Sequence, residues 1–359
     1  MKPTAKLSVP AGDEQRDFLV VTTEPGWAFA TLRELRDRGI RSYIPFFHRD
    51  STLIITLGAG EARLLLTERL ATPASVFGGI LVADGAVGRD ATVGLKSRLG
   101  GRILRSRIAR WRGEPERGPQ LYCLVSEVYG HTRVFRHALA QTVRRAVEEA
   151  FPRWREVPRG GRLFLAKADR EFGAIGTQLY TNLARETTGR PGELRRHLAA
   201  ALLTLARVQQ NDPVLDPFMG TGTVLRVACE QMRAARCIGI EVDPEAYGIA
   251  ARALSRHDVR LRMTSFDDIE PSLLPDHVKV VSNLPFGHRF VQVPLDRLLK
   301  FFVLIQPRVR AFALLLGRQQ AAEVARRLDL TVKNVLVLGQ PAAIAYSPSG
   351  STPRSVEGA

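Results

Sequence analysis

Cysteine is scarce in this 359-residue chain: Cys123, Cys229 and Cys237 are scattered, and no two form a C-x-x-C pair. That spacing argues against a disulfide framework and against a structural zinc site. No apolar run approaches the roughly 18 residues that cross a bilayer. The opening residues, MKPTAKLSVPAGDEQRD, lack the apolar core and cleavage site of a secretory leader. No internal repeat is found. The expectation is a reduced, cytoplasmic chain with no membrane attachment and no metal. Acidic residues are also in short supply, 36 against 52 lysines and arginines, for a net charge of +16.

The missing acids are not missing evenly. Residues 1–90 are balanced, residues 91–170 carry a net +11, and residues 171–359 carry a net +5. A uniformly arginine-rich composition would spread the excess, whereas clustering is what a polyanion-binding surface produces. A solvated charged face is the plainer alternative. The arginines gather in Ser97 to Gly113, where Arg102, Arg105, Arg107 and Arg110 alternate with Leu99, Ile103, Leu104, Ile108 and Trp111.

Patterning divides the chain in two. Phe18–Thr23 reads as a strand, Pro25-Gly26 as a turn and Trp27 to Arg38 as a helix that stops at Gly39. Further strands are expected at 53–57, 121–128 and 163–167, and helices at 61–70 and 131–151. The turn cluster Thr187-Thr-Gly-Arg-Pro-Gly192 is the best boundary. Beyond it an alanine-rich helix, Leu194 to Val208, precedes strands at 213–216, 237–241, 259–263, 278–282, 311–316, 332–338 and 342–346. Alternation of strand and helix indicates a parallel sheet covered on both faces. The last two strands are too close for a crossover helix, so one of them should run antiparallel.

Three motifs carry chemistry. Asp216-Pro-Phe-Met-Gly-Thr-Gly-Thr223 is an acid at a strand end, two glycines that let backbone approach a ligand, and a helix start. Ile238-Gly-Ile-Glu241-Val-Asp243 puts an acid at the end of the next strand, placed to bind ribose hydroxyls. A dinucleotide-binding fold shares both. Val280-Val-Ser-Asn283-Leu-Pro-Phe-Gly287 decides between them, because it resembles the Asn/Asp-Pro-Pro-Tyr/Phe motif of class I methyltransferases that modify exocyclic amines. Read alone, that segment is as easily a loop with a phenylalanine plug.

The resemblance extends further. Phe18 to Gly39 looks like the N-terminal segment of THUMP-containing tRNA guanine-N2 methyltransferases, and the run from Arg190 to Arg207 is similar to the helix before their cofactor loop. Their D-P-[FM]-x-G-[ST]-G-T is matched closely by residues 216–223. It implies an α/β fold: a Rossmann-like class I methyltransferase domain with a seven-stranded, mostly parallel sheet, after a small α+β ferredoxin-like/THUMP-like RNA-binding region. The expected division is a ferredoxin-like segment at 1–60, a THUMP-like domain at 61–170, a linker at 171–192, the catalytic domain at 193–350 and a disordered tail at 351–359.

What the resemblance implies is S-adenosylmethionine as cofactor and the N2 amine of a guanosine in tRNA as acceptor. Asn283, Leu284, Pro285 and Phe286 are the expected catalytic segment. Asp216, Phe218, Gly220, Gly222, Thr223, Glu241, Val242, Phe266, Asp267 and Asn283 are expected around the cofactor. Arg102, Arg105, Arg107, Arg110 and Arg289 are expected on RNA. Two departures stand out: Leu284 replaces a common proline, and Ser265 occupies the usual acidic position. Adenine recognition then falls to Asp267 or to backbone near Phe266, unless Asp267 and Asp268 merely cap a helix. Rival readings are an amino-methyltransferase acting on ribosomal RNA or DNA adenine, and a non-catalytic RNA-binding protein with a vestigial methyltransferase fold.

Overall fold

The computed structural model describes residues 17–40, 43–46, 51–58, 61–84, 91–112, 120–128, 133–169, 172–183, 193–286 and 293–348. Arg289 and the expected tail lie outside them. In chain order the first part runs β1 (Phe18–Thr22), α1 (Ala28–Asp37), β2 (Tyr43–Phe46), β3 (Thr52–Thr56), α2 (Glu61–Thr67) and β4 (Ser75–Asp84). It continues with α3 (Ala91–Arg98), α4 (Gly101–Arg112), β5 (Leu121–Val128), α5 (Arg133–Ala150), β6 (Arg155–Glu156), β7 (Arg162–Ala168) and β8 (Phe172–Thr181). The second part runs α6 (Arg196–Leu205), β9 (Val214–Asp216), α7 (Thr223–Met232), β10 (Cys237–Glu241), α8 (Pro244–Leu254) and β11 (Val259–Met263). It ends with β12 (Val278–Asn283), α9 (Leu295–Ile305), β13 (Val309–Leu316), α10 (Arg318–Leu328), β14 (Thr331–Val337) and β15 (Gln340–Tyr346).

The chain forms two compact units. The first holds residues 1–23, 39–69 and 73–181, and the second holds 24–38, 70–72 and 182–359. In the first unit a single eight-stranded sheet is ordered β2-β3-β1-β4-β8-β7-β5-β6. The segments read as 1–60 and 61–170 therefore share one sheet. Strand β8 occupies 172–181, inside the stretch read as linker, and pairs antiparallel with β4 along nearly its whole length and with β7 through residues 173–177. The long β4 went unread from sequence because Gly78 and Gly79 interrupt its apolar pattern. Both are there for space: a Cβ at Gly78 would meet the Trp111 ring at 2.5 Å, and one at Gly79 would meet the Phe18 ring at 2.2 Å. The Trp111 indole also donates to Gly79 O at 3.0 Å, tying α4 to the sheet.

The second unit is a seven-stranded sheet in the order β11-β10-β9-β12-β13-β15-β14. Pairing is parallel from β11 through β13. Strand β15 is the antiparallel one, held between β13 and β14. Strand order reverses between β9 and β12, and in doubly wound sheets the crevice beyond such strand ends is where ligands bind. Helix α6 is almost wholly buried, with Leu198, Leu202 and Leu203 at 2% exposure or less, which explains why its alanine-rich run carries so little charge. Helix α1 belongs to this unit although its sequence neighbours β1 and β2 do not. The Trp27 indole donates to Leu336 O at 3.0 Å and Leu336 N donates to Pro25 O, so residues 25–27 cover the edge strand β14.

Candidate cofactor and acceptor site

Strand β9 ends in Asp216, which is buried at 1% exposure. Its Oδ1 accepts from Ser282 Oγ of β12 at 2.6 Å and from Phe218 N at 3.2 Å. Burial pushes its carboxyl up to about 7, against the pull of those two hydrogen bonds. Asp216 thus fastens the two strands that flank the crevice.

The glycine loop follows. Gly220 has φ +55, and the position of its missing Cβ is open space. Its N–H donates to Glu241 Oε2 at 2.7 Å, while Glu241 Oε1 accepts from Val242 N and Asp243 N, both at 2.9 Å. Three backbone donors therefore hold the Glu241 carboxylate at the end of β10. Asp243 next caps α8, its side chain accepting from Glu245 N with Pro244 in the first turn.

These residues line one cavity of about 960 Å³, at the upper end of small-molecule sites. Asp216, Phe218, Gly220, Thr223, Glu241, Val242 and Phe266 line it, and so do Asn283, Leu284, Pro285 and Phe286 at the end of β12. The structure thus brings the cofactor motifs and the third motif to one site. Leu284 is 1% exposed, its side chain in the apolar core and its N–H bonded to Leu315 O at 2.9 Å. That explains leucine here, as an apolar anchor that fixes the peptide after Asn283.

Two expected cofactor residues do not line the cavity. Gly222 caps α7 with φ +83, and a Cβ there would come within 3.0 Å of Leu254 and 3.2 Å of Ala250. It permits helix packing. Asp267 turns to Arg297, whose Nε donates to it at 2.8 Å, and to the Ser265 hydroxyl. Those two partners, the serine first, hold its carboxyl below the ordinary range. No side chain caps the short turn at Phe266–Asp268. Phe266 itself packs against Phe218 with ring centroids 4.8 Å apart and planes tilted by 41°, and Arg297 lies 5.6 Å over its ring.

Arg297, Glu193, Leu194, Val293, Pro294 and the β14–β15 hairpin also line the cavity and were not anticipated. Glu193 and Leu194 open the run at 190–207 that the resemblance had placed before the cofactor loop, while the others come from segments without a motif. Among the described lining residues four carboxylates face one guanidinium: Glu193, Asp216, Glu241 and Asp243 against Arg297. Such a wall suits a cationic ligand, and a sulfonium that also carries an amino acid group is one. The open cradle over Gly220 and the tethered Glu241 fit a nucleoside beside it.

Residues 184–300 match the model of the UPF0020 family, described as an RMKL-like methyltransferase domain. Among solved structures the chain is similar to TrmN from Thermus thermophilus, at 19% identity and TM-score 0.66, over 92% of this chain and 99% of that one. SMU.472, solved in complex with S-adenosylhomocysteine, is 12% identical at TM-score 0.62, over 95% and 100% of the two chains. A predicted N6-adenine-specific DNA methylase from Listeria monocytogenes is 15% identical at TM-score 0.61, over 92% and 96%. No curated protein matches the sequence.

The match places a methyltransferase-like domain within the second unit. It has the Rossmann-like fold expected from the motifs. Of the expected RNA-contacting arginines, Arg102, Arg105, Arg107 and Arg110 are on α4 of the first unit, and Arg289 lies outside the described residues. Arg102, Arg105 and Arg110 are exposed. Arg107 is half-buried with its guanidinium 3.6 Å from Asp17, Arg110 donates to the same carboxylate at 2.7 Å, and Arg105 bonds Ala150 O beside the Phe151 ring. Burial lowers Arg107 despite the neighbouring Asp17.

Proposed function

We propose that the chain transfers a methyl group from S-adenosylmethionine to the exocyclic N2 amine of a guanosine in tRNA. The observation that carries this reading is that Asn283–Phe286 and the Gly220–Glu241 pair line one cavity. An exocyclic amine conjugated to a base is nearly planar and a poor nucleophile. In the proposed arrangement the Asn283 side-chain oxygen and the Leu284 carbonyl accept its two hydrogens, so the nitrogen pyramidalises. Phe286 stacks on the base, which must leave its helix to enter a cavity. Glu241 holds the ribose of the cofactor, which when bound supplies an electrophilic methyl on sulfur. Acceleration comes from positioning and electrostatics, with no general base of special pKa.

The charge map supports RNA as the acceptor, since the excess of +11 falls on 91–170. In this reading the first unit acts as the THUMP-like docking module at the acceptor end, in the cytoplasm. Methylation of adenine in DNA is the second reading, favoured by the fold likeness to a protein so named. Incubation of the purified protein with labelled S-adenosylmethionine and bulk tRNA, followed by nucleoside analysis, separates them. Label in N2-methylguanosine supports the proposal. Label in N6-methyladenosine, or in ribosomal RNA or a DNA duplex but not in tRNA, overturns it.

A further inference from the structure

Leu338 sits where neither local geometry nor solvent favours a leucine. Register pairs Val337 with Gln340 across the β14–β15 hairpin, leaving Leu338-Gly339 as a two-residue loop. Both central residues have positive φ, +50 and +81, the pattern of a type I′ turn. That turn favours Gly, which has no Cβ to crowd the backbone, or Asn and Asp, whose short polar side chains offset the crowding with local hydrogen bonds. Among the described residues Leu338 is the one apolar side chain with positive φ; the other non-glycine cases are polar or charged.

Its side chain is 62% exposed, yet with Val337 and Gln340 it lines the same cavity as Phe286. Strain and apolar exposure coincide at one residue, and strained residues persist where the surroundings hold them for a use. Here the hold is visible. Leu336, two residues earlier, has its N–H bonded to Pro25 O and its carbonyl to the Trp27 indole, and Trp27 is buried at 1% exposure.

We propose that Leu338 is an acceptor-contacting residue of the methyltransferase: its side chain packs on the face of the nucleobase that enters beside Phe286. This rests on the reading that the acceptor is a nucleobase. It adds a specificity element that no motif contains, a planar apolar-faced acceptor selected by a leucine on a rigid hairpin. The side chain does no chemistry.

The test compares wild type with Leu338→Asn, Leu338→Gly and Leu338→Met in the full chain. Melting temperature and S-adenosylhomocysteine affinity are measured without acceptor. Steady-state transfer is measured on tRNA, ribosomal RNA and a DNA duplex, whichever accepts label from wild type. Asn suits the turn and Gly relieves it, so both variants should melt at or above wild type. Both should bind S-adenosylhomocysteine within about twofold of wild type and raise KM for the nucleic acid by about tenfold, with a smaller change in kcat. Met keeps an apolar surface against the base and should stay within about twofold of wild-type KM. Unchanged KM in Asn and Gly overturns the proposal, and so does a loss of S-adenosylhomocysteine affinity equal to the loss for acceptor. If wild type labels DNA instead of tRNA, the tRNA reading falls while the Leu338 comparison is still decided on DNA.

Discussion

Asn283 and Glu241 end neighbouring parts of the same sheet but are asked to do different things, so their removal should fail differently. Asn283→Ala removes an acceptor for the amine and should cut kcat by about 10²- to 10³-fold. Calorimetric titration should find S-adenosylhomocysteine affinity nearly unchanged, and undiminished turnover would sink the mechanism. Glu241→Ala removes the partner of three backbone N–H groups and should weaken the cofactor by at least about tenfold in the same titration. Asp216 makes a pH prediction. Its carboxyl, raised to about 7 by burial, binds its proton more tightly folded than unfolded. It therefore stabilises the fold at low pH, and that contribution is lost as pH rises through about 7. His197 acts with the opposite sign over about pH 4 to 6.5, because burial and then Arg195 push it down to about 4. Asp216→Asn should accordingly remove the Asp216 share of the fall in melting temperature between about pH 4 and pH 7, seen as a more positive slope against pH than in wild type. An unchanged slope in the variant would assign the fall to another group.

At the scale of elements, the hairpin of β14 and β15 and the turn before α1 form one assembly. Edge strands present unpaired backbone groups, and here Pro25 and Trp27 take those of Leu336. Trp27 also packs in the core beside α6 and α7. Trp27→Ala should cost about 3–5 kcal/mol in chemical denaturation. Trp27→Phe keeps most of the apolar area, loses the indole donor and should cost about 1–2 kcal/mol. Equal losses in the two variants would mean that the ring volume has no role. The hairpin's position was legible in sequence to within a few residues, since two β-branched runs too close for a helix must pair antiparallel. Its cover was not, because Pro25 and Leu336 lie over 300 positions apart and nothing local marks either one.

For the whole molecule, the methyltransferase unit is not one continuous stretch of chain. A fragment of residues 182–359 would lack residues 24–38 and expose the surface that Trp27, Ala30 and Phe29 cover. It should melt well below the full chain or precipitate, and a fragment that melts with the full chain would show the cover to be dispensable. The α4 arginines make the complementary prediction. Replacing exposed Arg102, Arg105 and Arg110 with serine should weaken RNA binding and flatten its dependence on salt, by about 0.9 in log–log slope for each duplex phosphate no longer neutralised. Equal slopes before and after would move the RNA surface elsewhere. Arg107 is left in place because it sits half-buried against Asp17.

The sequence by itself determined the doubly wound second unit and its strand ends at Asp216, Glu241 and Asn283. Those depend on local signals: apolar runs of strand length, glycines where backbone turns, and acids at fixed spacing. Helices α1 and α5 were legible for the same reason, from apolar residues recurring at helical spacing, whereas α4 was not read as a helix through its run of arginines. Tertiary structure decided what depends on distant pairing. Strand β8 became a strand because β4 and β7 offered partners on both sides, although its residues follow no clean alternation. Asp267 was withdrawn from the cavity by Arg297, thirty residues on, and Gly222 was claimed by α8. Glu193, Arg297 and Leu338 joined the cavity only when the sheet closed the chain around it, since a wall assembled from separate segments leaves no spacing in any one of them.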